Sequence, residues 1–107
     1  MALTPKVGGQ INPTAATLTT GYTVPASTVA VVNIFVVNRS AIATSFRVSV
    51  AVAGAADDLK QYIAYDQNII GNAMFPLVGI ALGPTDVIRV YATLATLSFN
   101  IMAIESA

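Results

Sequence analysis

The sequence predicts an all-β fold: an antiparallel β-sandwich, jelly-roll or Ig-like, of about seven to eight short strands. Three observations carry that expectation. β-branched residues dominate Thr28–Ala53, and no Gly or Pro interrupts it, which favours extended chain over helix. Polar turn signals recur about every ten residues, the rhythm of a sandwich or barrel. No segment offers a serious helical period; only Asp57–Tyr65 could form a turn of helix.

Thr28–Ala53 reads as two strands joined by the polar turn Asn38-Arg39-Ser40. In the second strand Phe46, Val48, Val50 and Val52 alternate with Ser45, Arg47, Ser49 and Ala51, which gives one apolar and one polar face. The first strand is apolar on both sides. Val29, Val31, Phe35 and Val37 share a face with Asn33, while Ala30, Val32, Ile34 and Val36 form the other. A strand apolar on both faces is covered on both, once by its own core and once by another body. Val32, Ile34 and Val36 are the candidate subunit contacts, with Asn33 flanking from the opposite face. An amide inside an apolar run needs hydrogen-bond partners, either within the core or across a symmetric subunit contact.

The other elements follow in chain order. Residues 1–13 hold two prolines and the pair Gly8-Gly9 without periodicity. They are expected to be an extended N-terminal arm, neither strand nor helix, frayed or ordered on a neighbouring subunit. Pro5, Ile11 and Pro13 are its candidate contact residues. The sandwich domain is expected to span residues 14–107. Thr14–Val24 alternates loosely, with Gly21 marking a bulge or close backbone approach, and Pro25-Ala26-Ser27 turns the chain. Further strands are expected at Lys60–Asp66, Ala73–Ile80, Val87–Thr93 and Leu97–Ile104. Pro76 marks an edge position or a bulge.

Composition narrows the function. Of 107 residues, 55% are hydrophobic and only 9% charged, against about 25% charged in ordinary soluble proteins. So few charges leave part of the exterior to be covered by copies or partners. The five basic and five acidic residues balance, and the cations are scattered, so binding to nucleic acid is not expected. The longest apolar run, Val29–Val37, is too short for a membrane-spanning helix. Met1–Lys6 lacks the apolar core of a secretion signal. With neither His nor Cys, the commonest general base, nucleophile pair and transition-metal ligands are missing. Asp57-Asp58 lacks the ligand spacing of a calcium loop. Asp66 and Asp86 are expected to cap turns. Tyr62 and Tyr65, three apart, should lie on opposite faces of a strand. The expectation is a protein that is not an enzyme and takes no cofactor.

A family resemblance adds to this. Tyr22-Thr23-Val24-Pro25-Ala26 leads into a valine-rich strand ending Val36-Val37-Asn38-Arg39. There follow Thr44-Ser45-Phe46-Arg47-Val48, Asp86-Val87-Ile88-Arg89-Val90-Tyr91-Ala92 and Leu97-Ser98-Phe99-Asn100-Ile101. In this order they resemble the small all-β virion proteins of tailed bacteriophages, including head decoration (cement) proteins and some tail-associated ones, over Leu18–Glu105. The chain departs at Ser27, where the family pattern often carries Gly, and in the turn 38–43, which lacks Gly. The resemblance implies a homotrimer on the capsid surface of the virion, made in the host cytoplasm. Its arm would reach onto the major capsid protein. A tail, baseplate or fibre component of the same fold is the alternative. A carbohydrate-binding attachment module is a further one, for which Tyr22, Tyr62, Tyr65 and Tyr91 are the available aromatics and no Trp exists.

Overall fold

A computed structural model describes residues 2–107. Eight strands run in chain order: β1 (Leu3–Ile11), β2 (Thr19–Thr23), β3 (Val29–Asn38), β4 (Thr44–Ala51), β5 (Tyr62–Ile69), β6 (Met74–Leu82), β7 (Val87–Ala92) and β8 (Leu97–Ser106). They form two four-stranded antiparallel sheets, β1-β8-β3-β6 and β2-β7-β4-β5, packed as the expected sandwich. Single 3-10 turns at Val52–Gly54 and Leu59–Gln61 lie between β4 and β5. The second falls where the sequence allows a turn of helix, and the Asp58 side chain caps it by accepting from the Lys60 N–H.

The core lies between the two inner faces. Phe46 of β4 meets Phe75 of β6 and Phe99 of β8 edge-on, with ring centroids 5.5 and 6.0 Å apart. Both contacts cross from one sheet to the other, and such pairs add about 0.5–1.5 kcal/mol beyond their buried area. Inward positions of the central strands, including Ile34, Val48, Ile88, Val90 and Ile101, are fully buried. The turn after β3 is held by buried Asn38, whose amide donates to the Ile42 carbonyl at 2.8 Å and whose Oδ1 accepts from the Ser40 N–H.

The N-terminal segment departs from expectation. Leu3–Ile11 is a strand of the sheet, not an arm, and pairs with β8 from Leu3↔Ser106 to Ile11↔Phe99. Two features hide it in the sequence. Pro5 is tolerated because β1 is an edge strand, and a bulge at Gly8 breaks the alternation. Gly9 lies against Gly21 of β2, where an added Cβ would meet the Gly21 carbonyl oxygen at 2.3 Å. Glycine is therefore required at this seam, which closes one side of the sandwich.

Every register shift falls on an edge strand. β1 is bulged at Gly8 and β2 at Gly21. β6 is bulged at Val78-Gly79, and β5 twice. The ladders between central strands, β3 with β8 and β4 with β7, are regular throughout.

Candidate interaction surface

Register and pleat together set which side chains leave the sandwich. Val32, Ile34 and Val36, expected at a subunit contact, point inward and are 0% exposed. That assignment is corrected: these residues are core. The outward set of β3 is Val29, Val31, Asn33, Phe35 and Val37. Alternation alone does not choose between two apolar faces. The signal that could have chosen is Asn33, since the one polar residue inside the run marks the side away from the core.

Across the outer face of the β3 sheet the registers align one row of Pro5, Ile104, Val31 and Ala81. The next row places Val7, Met102 and Asn33 opposite the Val78-Gly79 bulge. Beyond it lie Gln10, Asn100, Phe35 and Pro76. No Asp, Glu, Lys or Arg occupies an outward position in these rows. Several large aliphatic side chains stand open, with Val31 48%, Ile104 47% and Val78 67% exposed. At one end Leu3, Val29, Val31, Ala81 and Ile104 line an apolar groove of about 420 Å³. At the other, Gln10, Asn12, Asn100 and Arg39 border a polar cleft of about 340 Å³. Asn33 acts locally. Its Oδ1 accepts from the Gly79 N–H at 2.9 Å, which satisfies a backbone donor that the bulge removes from the ladder.

The remaining candidate contacts separate. Pro5 is exposed on the outward face, while Ile11 points inward and packs against the core. Pro13 is buried beyond the end of β1.

The outer face of the β4 sheet is built differently. The Arg47 guanidinium lies 4.2 Å from the Tyr65 ring centroid and 4.5 Å from that of Tyr91, and its Nε donates to Asp66 at 2.7 Å. The Asp66 bond, ahead of the two rings, pushes the Arg47 pKa above its ordinary value. Tyr62 packs edge-on against Tyr65 with centroids 5.1 Å apart, contrary to the expectation of opposite faces. The reason is a bulge: Val48 pairs with Ala64 but Ser49 with Tyr62, so Ile63 is an extra residue that reverses the phase. Burial first, then its hydrogen bond to Asp57, raises the Tyr62 pKa. Ser49 and Ala51 face outward yet are fully buried. The segment after β4 covers them, held by Arg89, which donates to the Ala55 and Gly54 carbonyls.

Each carboxylate has a partner within the chain. Asp86 accepts from the Gly83 and Ala53 N–H groups, as a turn-capping residue should. Asp66 pairs with Arg47 instead of capping. Asp57 accepts from the Tyr62 hydroxyl and Asp58 from the Lys60 N–H. Glu105 accepts from the Tyr22 hydroxyl and pairs with Lys6 at 3.0 Å. These two bonds hold the Glu105 carboxyl below the usual range. Burial, then Glu105, raises the Tyr22 pKa. This clip joins β1 and β8 of one sheet to β2 of the other. Among the described residues no group of three or more Asp or Glu side chains is placed to hold a metal ion, and no helix is long and apolar enough to cross a membrane. Comparison with protein-family models, curated proteins and solved structures gives no match.

Proposed function

We propose that this chain is a structural protein of a bacteriophage head, a decoration protein that oligomerises on the shell and stabilises contacts between major capsid protein subunits. The observation that carries the proposal is the outer face of the β3 sheet, apolar and without a charge across its rows of residues. Burying one large aliphatic side chain stabilises by roughly 1.5–3 kcal/mol. A face with several such side chains exposed is therefore suited to permanent contact. The resemblance over Leu18–Glu105 to phage virion proteins supports the reading, though its motifs are turn and core signatures that speak for the fold more than for a place on the particle. Symmetric repetition would multiply contacts of modest individual energy into resistance to pressure from within.

Imaging and composition analysis of purified virions tests this reading. The expected result is density on the head surface and a copy number in fixed ratio to the major capsid protein. A few copies confined to the tail would move the protein to the tail-associated alternative. Carbohydrate binding is less well supported: Tyr62, Tyr65 and Tyr91 do gather on one face, but Arg47 lies over the rings of Tyr65 and Tyr91, where a sugar would have to stack. A glycan array is expected to show no binding.

A further inference from the structure

We infer that the outer face of the β3 sheet is covered by the same face of a second copy, related by a two-fold axis. The inference rests on the reading of this chain as an assembling structural protein, names the partner of that surface, and replaces the homotrimer that the resemblance implies with a two-fold pair. Size is the first argument. Four strands about 4.8 Å apart and about ten residues long at 3.3 Å each present roughly 600 Å² in projection. Side-chain relief raises the accessible area further, towards the roughly 800 Å² per partner of a stable complex.

Charge is the second argument. Unlike partners are ordinarily selected by complementary charge, and this face has none with which to select. Against its own copy the face meets no repulsion across these rows, and Arg39, at the polar end, is turned to the Ala95 carbonyl of its own chain. A lipid surface fits less well, since interfacial binding favours cations around the apolar patch and Trp within it. Among the described residues only Lys6 and Arg39 flank this face as cations, Lys6 is already paired with Glu105, and the chain has no Trp.

Shape gives the geometry. One sheet face is covered completely by another packed face to face on it, whereas three such faces around an axis meet only along their margins. Stacked sheets pack about 10 Å apart with strands nearly aligned. If the axis runs along the strands, the groove at Leu3, Val29 and Ile104 meets its own copy, and apolar surface covers apolar surface. β1 then lies over the copy's β6. Met102 and Asn33, on the two central strands and in the middle row, fall nearest the axis. Met102 of one copy faces Asn33 of the other, a flexible thioether against an amide whose Nδ2 has no partner among the described residues.

The chain contains no cysteine, so single-cysteine variants read out the contact directly. Met102→Cys, treated with a bismaleimide spanning about 10 Å, is expected to give covalent pairs. Thr20→Cys, on the outer face of the opposite sheet, is expected to give none. No cross-linking from Met102→Cys, or equal cross-linking from both, would overturn the inference. Light scattering of the unmodified chain is expected to give twice the chain mass; a monomer or a trimer would also overturn it. The double variant Val31→Lys, Ile104→Lys should weaken pairing by roughly a hundredfold or more, because unpaired charge would be buried. Retention of the wild-type pairing strength would overturn the inference too. These measurements use isolated protein, so a chain that pairs in solution but is absent from phage heads sinks the head assignment and leaves the pairing intact.

Discussion

The two outer faces of the sandwich share one core and are built by different rules. The β4 sheet turns Arg47, Asp66, Arg89 and three tyrosines outward, and each has a partner in its own chain. A loop roofs one end. The β3 sheet turns valines, isoleucine, leucine and methionine outward, and nothing within the described residues covers them. Interactions that end inside the molecule satisfy the polar groups of the first face, although Val52, Leu59 and Ile63 stand exposed on that side. Apolar surface left open to solvent suits the second to the partner proposed for it. Self-sufficiency, judged face by face, thus separates a solvated surface from an interface better than overall hydropathy does.

The largest expected effect strikes both faces equally. Phe46→Ala removes the ring that bridges the sheets and should cost about 3–5 kcal/mol in denaturant unfolding, with assembly lost as a consequence. A cost under about 1 kcal/mol would mean that the two sheets are held together elsewhere. Arg47→Ala comes next, since it removes two cation–π contacts of about 0.5–1 kcal/mol each and a surface ion pair worth less than about 1 kcal/mol. A loss of roughly 1–2 kcal/mol is expected by thermal unfolding, with the oligomeric state unchanged. Dissociation of this variant would erase the distinction between the faces.

The clip between the sheets gives a pH test. Glu105 titrates below its unfolded value, so its contribution is present above that value and lost as pH falls through the lower, folded one. Glu105→Gln should therefore be less stable than the wild type at neutral pH, and the difference should shrink as the pH falls below the ordinary glutamate value of about 4.3. A constant difference across that range would show that the carboxylate is not held by charge. The smallest effect concerns Ser27, whose φ of 58° lies in the left-handed region that glycine tolerates best. Ser27→Gly, in the connection between β2 and β3, should raise stability by roughly 0.5 kcal/mol, relief of strain being partly offset by the greater freedom of the unfolded chain. Assembly should not change.

Much of the fold is legible in the sequence because β3, β4, β7 and β8 pair in regular register, put apolar residues at alternate positions and are set off by polar turns. Pro76 marks an edge strand, Gly21 a bulge and Asp86 a turn cap, as their residue types imply. The departures have one main physical source. A bulge shifts the two-residue period by one, so Gly8 conceals β1 and Ile63 brings together two tyrosines whose spacing implies separation. Alternation also carries β4 on to Val52, yet the strand ends at Ala51 and Val52 begins a 3-10 turn. The candidate surface is half legible. Two apolar faces on β3 are evident, but alternation does not rank them, and the single amide Asn33 is the mark in the sequence of which one turns away from the core.

The confinement of bulges to the outermost strands has a consequence for crowding. A protein made in many copies meets itself constantly before it reaches its destination, and an unbroken strand margin invites hydrogen bonding from a neighbour's margin, the first step towards fibrils. Here all four margins are kinked out of register, so encounters along the sides are unproductive. Growth by strand addition is disfavoured, which leaves the proposed face-to-face pairing as the open route of contact.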